Sequence, residues 1–297
     1  MERAITDLAV EARDEYIEKY AEGHSGEIDG VAFCEREEEG VKISEIDVLN
    51  EEGERAVGRR RGKYVTVAFR DLAAADLASF SSLCTLCARE LEKLCHGACG
   101  ELKSVLVCGI GNARLAADAI GPEALAHVLV TRSLKEREPE IFEKGGFFDV
   151  CAIAPGVGAD TGFAAADIVR AAVQTAKPDV VIAIDALAAR STERLCKTLQ
   201  ICTAGISPGS GVGNAREALT HESMGVPVIS LGVPTVVDVG TLVRDATGGA
   251  EHGEKYRGFF VCPKEIDAQS VKIARLLGFT VNMAFQKNYP FGEMLCP

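Results

Sequence analysis

From about residue 100 onward, short apolar runs rich in Val and Ile alternate with segments of helical periodicity. Runs with hardly a polar residue are typical of strands that are buried on both faces. The predicted strands are residues 104–108, 150–154, 179–184 and 226–231. The predicted helices are residues 72–95, 123–131, 164–176, 215–223 and 264–286. This alternation predicts an α/β fold in which helices flank a mainly parallel, twisted sheet.

The N-terminal part of the chain predicts an extension of that fold. Residues 63–69 alternate in hydropathy as an edge strand does, and belong either to an insertion or to a second small sheet with residues 28–48. Residues 1–60 hold 18 acidic and 8 basic side chains, and the densest acidic cluster is Glu35, Glu37, Glu38 and Glu39. This acidic N-terminal layer, residues 8–70, is either a solvated surface or a regulatory segment that covers a site. We expect one α/β domain over residues 1–297.

Composition excludes several classes of protein. The formal net charge of −12 argues against a surface that binds nucleic acid directly. No apolar run reaches the roughly 18 residues of a membrane span, and no secretory signal begins the chain, from which we expect a cytoplasmic protein. The odd count of eleven cysteines argues against a disulfide framework. The spacing of Cys84, Cys87, Cys95 and Cys99 is not that of a zinc site, and small apolar thiols on a helix face explain it better.

Three aspartates follow predicted strands, at the sheet edge where α/β proteins bind their ligands. Asp118 lies in a loop before a helix and is either a helix cap or a functional carboxylate. Asp185 ends the apolar strand 179–184, where burial favours a functional role over a helix N-cap or an ion pair with Arg190. Asp238 follows residues 226–231 and fits a capping role better than a catalytic one. Two carboxyl groups brought close together share a proton, so one can act as base and the other as acid.

Glycine-rich loops follow the same strands and predict close backbone approach around a site. The loop residues predicted to border the site are Gly109, Gly111, Asn112, Gly209, Ser210, Gly211, Gly213 and Asp238. The spacing fits neither a dinucleotide loop nor a P-loop, although a nucleoside- or phosphate-binding enzyme stays an alternative. None of the five histidines lies in these loops, which argues against a nucleophile paired with histidine.

Several stretches resemble the germination proteases of spore-forming bacteria, and the resemblance spans nearly the whole chain. The most specific stretches are residues 6–12 (TDLAVEA), 182–190 (IAIDALAAR), 208–214 (PGSGVGN) and 225–238 (GVPVISLGVPTVVD). Residues 109–112, 118–122 and 130–132 also match. The resemblance implies a phosphorylase/hydrolase-like fold similar to that of hydrogenase-maturation endopeptidases. It also implies an endopeptidase that degrades small acid-soluble spore proteins during germination, in the spore core.

The same resemblance implies an atypical aspartic mechanism, with Asp118 and Asp185 at the positions of the catalytic pair. It implies no metal or other cofactor, a homotetramer, and a zymogen that removes a short N-terminal segment. Family cleavage sites look like Thr-Glu, an apolar residue, then Ala-x-Glu, and residues 6–11 read like such a site. We therefore expect residues 1–7 to be a pro-segment that the protein cuts from itself between Asp7 and Leu8.

Some positions depart from the family pattern by loss of a polar group. Ala116 and Ala117 lie where a Thr-Pro pair is usual, and Ala164 stands in place of a Glu; the other departures are Thr203, Ala204 and Ser207, which replace an Asp-Thr pair and a His. Because of these losses, two alternatives remain: the protein is a weakened enzyme, or it binds spore proteins without catalysis. A metal-dependent maturation endopeptidase of the same fold is a further alternative, which the lack of a histidine at the strand ends disfavours.

Overall fold

A mixed β-sheet runs through the computed structural model, which describes residues 5–20, 27–70, 72, 74–209, 217–247, 253–289 and 292. Within those residues the strands are β1 (Val31–Glu38), β2 (Val41–Val48), β3 (Gly62–Ala68), β4 (Ser104–Gly109), β5 (Asp149–Ile153), β6 (Val180–Ala189), β7 (Thr198–Cys202), β8 (Val228–Asp238) and β9 (Phe260–Val261). Their order across the sheet is β1-β2-β3-β7-β8-β6-β4-β5, and β9 pairs with β8.

Helices cover both faces of this sheet. They are α1 (Ala9–Tyr20), α2 (Glu51–Val57), α3 (Leu77–Cys99), α4 (Ile120–Ala124), α5 (Arg132–Arg137), α6 (Pro139–Gly145), α7 (Gly158–Thr161), α8 (Ala165–Ala176), α9 (His221–Met224), α10 (Val239–Thr247) and α11 (Ile266–Phe285). No helix in the described part of the chain is long and apolar enough to cross a membrane. The predicted α/β class, with helices around a large sheet and an N-terminal extension, is confirmed. Residues 63–69, expected as an edge strand, instead lie inside the sheet, because β3 pairs with β2 on one side and with β7 on the other.

The sheet has a parallel half and an antiparallel half. Strands β5, β4, β6 and β8 are parallel neighbours, as the strand–helix alternation predicts. Strands β1, β2, β3 and β7 pair antiparallel, and β7 joins them to β8. The expectation of a mainly parallel sheet is therefore corrected to a mixed one. The N-terminal strands extend this same sheet, because β3 pairs with β7; they do not form a second small sheet.

Alternating side chains of the parallel strands face two different hydrophobic clusters. In β6, Val180, Ile182 and Ile184 pack into the cluster that contains the apolar faces of α3 and α11. The intervening Val181 and Ala183 pack on the other face with residues of α8. Burial on both faces removes most of each strand's apolar surface from water, which explains the near-continuous apolar runs in the sequence.

The N-terminal helices cover the antiparallel half, on the same face of the sheet as α8. Leu8 and Val57 pack there against Tyr64 of β3, Cys202 of β7 and Leu187 of β6. Helix α8 covers the parallel half of that face. The face is therefore covered by two separate helical layers, and a cavity lies between them.

Several predicted boundaries are wrong, each for a local reason. Strand β6 continues through Asp185 to Ala189 because it pairs with β8 beyond the end of β4. Strand β8 likewise runs to Asp238. Helix α4 is followed only by a 3-10 turn, since the amides of Leu129 and Thr131 bind the Asn282 side chain and the Val150 carbonyl instead of their own helix.

The predicted helix at residues 215–223 is also wrong where it can be compared. Residues 215 and 216 lie outside the described residues, and Leu219 pairs with Ile206 in an isolated β-bridge. Helix α9 begins only after Thr220, whose side chain accepts a hydrogen bond from the Ser223 amide in a capping box. Strand β7 was not predicted at all.

The cysteines of α3 belong to the core. Cys84, Cys87 and Cys95 are buried in the cluster between α3 and the sheet, and Cys99 packs against it. Burial raises the pKa of the Cys84 thiol to about 12 and raises that of Cys99 as well. These thiols are therefore protonated at neutral pH and pack as small apolar groups, as the helix-face interpretation predicts.

Candidate active site

A cavity of about 520 Å³ lies beyond the carboxyl ends of β4 and β5, over the extended parts of β6 and β8. Asp118 and Asp185 both line it, together with Asp7 from the N-terminal segment. Ligands of α/β proteins bind at this edge of the sheet. The structure thus brings the two predicted catalytic aspartates to one cavity.

The loop after β4 holds Asp118. The Asn112 amide donates a 2.9 Å hydrogen bond to Asp118 Oδ2. Gly111 has a φ of +124°, and a Cβ there would lie 2.0 Å from the Asp118 carbonyl oxygen and 3.1 Å from Oδ1. The turn that carries Asp118 is fastened to β8, because Thr235 Oγ1 donates a 2.6 Å hydrogen bond to the Ala117 carbonyl. Asp118 is therefore held by its own loop and by a neighbouring strand.

Gly109 lets the segment after Asp118 approach the sheet. A Cβ on Gly109 would lie 2.3 Å from the carbonyl oxygen of Gly121 in α4. This contact brings the start of α4 against the end of β4 and sets where the preceding turn lies. Gly109 and Asn112 do not line the cavity themselves; they act through the placement of Asp118.

Asp185 lies inside β6 and is only 4% exposed. Its Oδ1 accepts a 2.9 Å hydrogen bond from the Ala186 amide. Asp185 pairs with Gly232 of β8, and Gly232 pairs in turn with Gln200 of β7, so the three form one row across the sheet. Because directly paired residues face the same side of a sheet, Asp185 and Gln200 project to the same face. Gly232, between them, leaves room for Leu187, since a Cβ there would lie 2.5 Å from Leu187 Cγ.

The N-terminal segment enters the cavity beside β6. The Asp7 amide donates to the Ala188 carbonyl at 2.8 Å, and the Ala188 amide donates to Asp7 Oδ2 at 2.9 Å. Leu8 is fully buried in the cluster under α1. An Arg59 guanidinium also donates to the Thr6 carbonyl. The predicted processing bond, between Asp7 and Leu8, is thus held at the cavity wall by named contacts.

Positive charge and an inert thiol complete the wall of the cavity. Among the described lining residues, Arg59 and Arg60 are the basic ones, and they follow α2. Burial raises the pKa of Cys202 to about 11, so this lining thiol is protonated at neutral pH and is a poor nucleophile. The carboxyl groups are therefore the best candidates for acid and base chemistry in the cavity.

Asp238 lies apart from this cavity and has a structural task. It is 1% exposed and ends β8. Its Oδ2 accepts hydrogen bonds from the Thr241 amide at 2.7 Å and from Thr241 Oγ1 at 2.9 Å, and its Oδ1 accepts from the Gly258 amide at 3.1 Å. These bonds join β8 to α10 and to the chain before β9, which is the capping role that the sequence favoured.

The remaining predicted site residues fall into two groups. Gly209 lines the cavity, while Ser210, Gly211 and Gly213 lie outside the described residues. Of the positions that depart from the family pattern, Ala117, Ala204 and Ser207 lie on the cavity wall. Ala164 precedes α8 and provides no side-chain cap, and Ala116 packs against the core.

Sequence reasoning missed Gln200, Arg59 and Arg60 as lining residues. Gln200 lies in β7, a strand that was itself unpredicted, and the two arginines lie in the N-terminal layer, for which a solvated surface and a segment that covers a site were both left open. The sequence marks Gln200 only as a polar residue in a short apolar run. It marks Arg59 and Arg60 only as part of an Arg-Arg-Arg sequence after α2. Within the described residues, no group of three or more His, Cys, Asp or Glu side chains could hold a metal ion.

Similarities to known proteins were found by family model, by sequence and by structure. Residues 9–248 match the family model described as germination protease. The germination protease of Clostridium perfringens strain SM101 is 38% identical over 95% of this chain and 95% of its own length. That of Clostridium acetobutylicum is 41% identical over 97% of both chains. The crystal structure of a [NiFe] hydrogenase maturation protease, HycI from Thermococcus kodakarensis, is similar over 63% of this chain and 97% of that chain, with 18% identity and a TM-score of 0.35.

Proposed function

Because this chain belongs to the germination protease family, we propose that it is the endopeptidase that degrades small acid-soluble spore proteins during germination. The family resemblance found in the sequence motifs is confirmed, and with it a protease of spore germination. The substrate, the catalytic type and the site of action in the cytoplasm of the spore core are part of the proposal. So is assembly as a homotetramer. The observation that carries the proposal is the shared cavity of Asp118 and Asp185.

In the proposed mechanism the two aspartates activate water without a metal. One carboxylate takes a proton from a water molecule, which adds to the carbonyl carbon of the peptide bond. The other carboxyl group is protonated and donates to the carbonyl oxygen, where negative charge develops. The carboxyl group that took the proton from water then gives it to the peptide nitrogen, the carbon–nitrogen bond breaks, and the other carboxylate takes back its proton as the carbonyl forms again. Two carboxyl groups at one site divide these tasks, since like charges side by side resist joint ionisation.

The N-terminal segment is proposed to be the first substrate. Thr6, Asp7 and Leu8 carry the pattern of a polar, an acidic and an apolar residue that the family cuts. Asp7 lines the cavity that holds the two aspartates, which supports processing between Asp7 and Leu8. Residues 1–7 would then be a pro-segment whose removal opens this part of the cavity.

A non-catalytic binder of spore proteins is the second candidate. Two residues on the cavity wall, Ala204 and Ser207, stand where the family pattern usually has a Thr and a His. Such losses weaken catalysis more than they weaken binding if the missing groups act on the transition state. This candidate predicts tight peptide binding without hydrolysis.

The deciding experiment is cleavage of a peptide that contains Thr-Glu-Ile-Ala-Ser-Glu by the full-length chain, followed by mass spectrometry. We expect cleavage after the first Glu, and loss of at least about a thousandfold in kcat for Asp118→Asn and Asp185→Asn. Asp47→Asn, at a half-buried position of β2 that does not line the cavity, is the matched control and keeps wild-type activity. Binding without cleavage by the wild type would favour the second candidate, and cleavage that survives both aspartate substitutions would disprove the mechanism.

A further inference from the structure

Gln200 is a buried polar side chain at the floor of the cavity. It is 6% exposed, lies in β7 and lines the cavity two strands away from Asp185 in the same row. A buried carboxamide must be hydrogen-bonded, because an unpaired amide in the interior is costly. Its partners therefore indicate what this position is built to hold.

Both ends of the Gln200 carboxamide bind the main chain of the N-terminal segment. Nε2 donates to the Asp7 carbonyl oxygen at 3.1 Å, and Oε1 accepts from the Ala9 amide at 2.8 Å. The first partner is the carbonyl of the predicted processing bond, and the second is the amide one residue beyond Leu8. One side chain thus forms hydrogen bonds with the backbone on both sides of Leu8.

These contacts do not depend on the side chains of the bound segment. Every peptide offers a carbonyl and, two residues later, an amide, so a protein substrate can make the same pair of hydrogen bonds. Ala188 adds a more selective contact on the other side, because its amide binds the carboxylate of Asp7. Main-chain contacts of this kind fix the register of a peptide while neighbouring contacts choose its sequence.

We propose that Gln200 is a positioning residue that holds the main chain of the segment to be cut, at the carbonyl before the cut bond and at the amide beyond the next residue. The inference rests on the proposed hydrolysis between Asp7 and Leu8. That reaction breaks the bond between the Asp7 carbonyl carbon and the Leu8 nitrogen, and it adds the hydroxyl of water to the carbon and the remaining proton of water to the nitrogen. Gln200 fixes the carbonyl to which the water adds, and a peptide substrate takes the same place once the segment has left.

The test compares two buried glutamines. Gln200→Leu removes both main-chain bonds in the cavity. Gln286→Leu is the matched control, because Gln286 is 1% exposed and also bonds main chain at both ends, to the amide and carbonyl of Phe148 away from the cavity. Gln200→Glu is a second variant that keeps an acceptor for the Ala9 amide but loses the donor to the Asp7 carbonyl. It stands in for Gln200→Leu if that variant fails to fold.

Two readouts on the full-length chain follow the role of Gln200. Mass spectrometry of the chain over time gives the rate of processing at Asp7–Leu8, and amide hydrogen exchange reports how firmly residues 5–12 are held. We expect Gln200→Leu to slow processing at least about tenfold and to speed exchange at the Ala9 amide. Gln200→Glu slows processing similarly, while Gln286→Leu alters neither readout although it lowers thermal stability.

The outcomes separate this inference from the proposed function. Wild-type processing rates in Gln200→Leu would overturn the positioning role and leave the protease proposal intact. The positioning role would also be overturned, and the protease proposal left intact, if the chain cleaved the spore-protein peptide but never processed itself. If the wild type cleaves neither substrate, both the proposed function and the positioning role are overturned. Equal slowing by Gln200→Leu and Gln286→Leu would reduce the effect to general destabilisation and refute the inference.

Discussion

At the scale of single residues, the position of Asp118 depends on the absence of a side chain at Gly111. Gly111 lies against Asp118 with a φ of +124°, where a Cβ would come within 2.0 Å of the Asp118 carbonyl oxygen. We predict that Gly111→Ala shifts Asp118 and lowers kcat/KM on the spore-protein peptide about a hundredfold, because misplacement by about 1 Å has that effect on catalysis. The strained backbone lowers the free energy of unfolding by about 1–3 kcal/mol. Peptide kinetics and urea unfolding measure the two effects.

A second glycine separates backbone strain from displacement of Asp118. Gly225 has a φ of +75°, and a Cβ there would meet no atom within 4 Å. Gly225→Ala therefore carries a conformational cost without the collision, and we expect a small loss of stability with unchanged kcat/KM. Equal losses of activity in both variants would show that strain alone, and not the contact with Asp118, governs the site.

The two catalytic candidates could be found from the sequence because each follows or interrupts an apolar strand. Asp185 is conspicuous because burying a carboxylate in a strand is unfavourable without a purpose, and Asp118 is noticed because it lies in the loop before a helix. The same reasoning does not detect Gln200, because a neutral amide in a short apolar run is only a weak indication of a functional residue. The partners of Gln200 are some 190 positions away in sequence, and only the folded chain shows that they meet.

At the scale of elements, an ion-pair network joins the sheet extension to α3. Arg36 of β1 donates to Glu90 of α3 at 2.7 Å and also binds Glu45 of β2. Glu90 is 2% exposed, and its other cations are farther away. We predict that Arg36→Met lowers the free energy of unfolding by about 2 kcal/mol, since removing one partner leaves a buried carboxylate poorly paired. Urea unfolding at pH 7 measures this loss.

Arg36 also pairs with Glu45, and this second pair makes part of the loss depend on pH. Burial alone would raise its pKa, but the hydrogen bond from Arg36 and the charge of Lys93 hold the pKa of Glu45 below its ordinary value of 4.5. A group with a lowered pKa stabilises the fold above its ordinary pKa, and that stabilisation is lost as pH falls through the folded-state value. The gap between wild type and Arg36→Met should therefore be full at neutral pH and narrow below pH 4.5. Arg55→Met, which breaks an exposed pair with Glu52, should change stability by less than about 0.5 kcal/mol at any of these pH values. A gap that is independent of pH would show that Arg36 acts through packing instead.

Elements that are buried on both faces were predictable, and elements defined by long-range pairing were not. The parallel strands appear in the sequence because their apolar runs are nearly continuous. Strand β7 has only five residues and gains its place by pairing antiparallel with β3 and β8. The helix expected at residues 123–131 does not form over that range, because the Asn282 side chain and the Val150 carbonyl bind amides in that segment. Such competition between local periodicity and distant partners is not encoded in a window of sequence.

At the scale of the whole molecule, some of the acidic side chains of the N-terminal layer lie on the outer strand of the sheet. Strand β1 is the outer strand of the antiparallel half, and among the described strands it pairs with β2 alone. Glu35 and Glu37 are exposed along it. An outer strand offers main-chain hydrogen-bonding groups to other chains, and charge on that strand opposes such pairing. We therefore expect the acidic side chains of β1 to oppose edge-to-edge association of the sheet.

We predict that Glu35→Thr/Glu37→Thr promotes association beyond the assembly state of the wild type, because two like charges leave the edge while residues that favour strands replace them. Sedimentation velocity at several protein concentrations measures the association. Glu101→Thr/Glu140→Thr removes the same charge from two highly exposed positions away from the edge, and should sediment like the wild type. Association by both double variants would assign the effect to net charge, since the protein carries −12 in total and any loss would then matter equally. Association by the β1 variant alone would assign it to the strand edge, and the proposed homotetramer would then have to form through other surfaces.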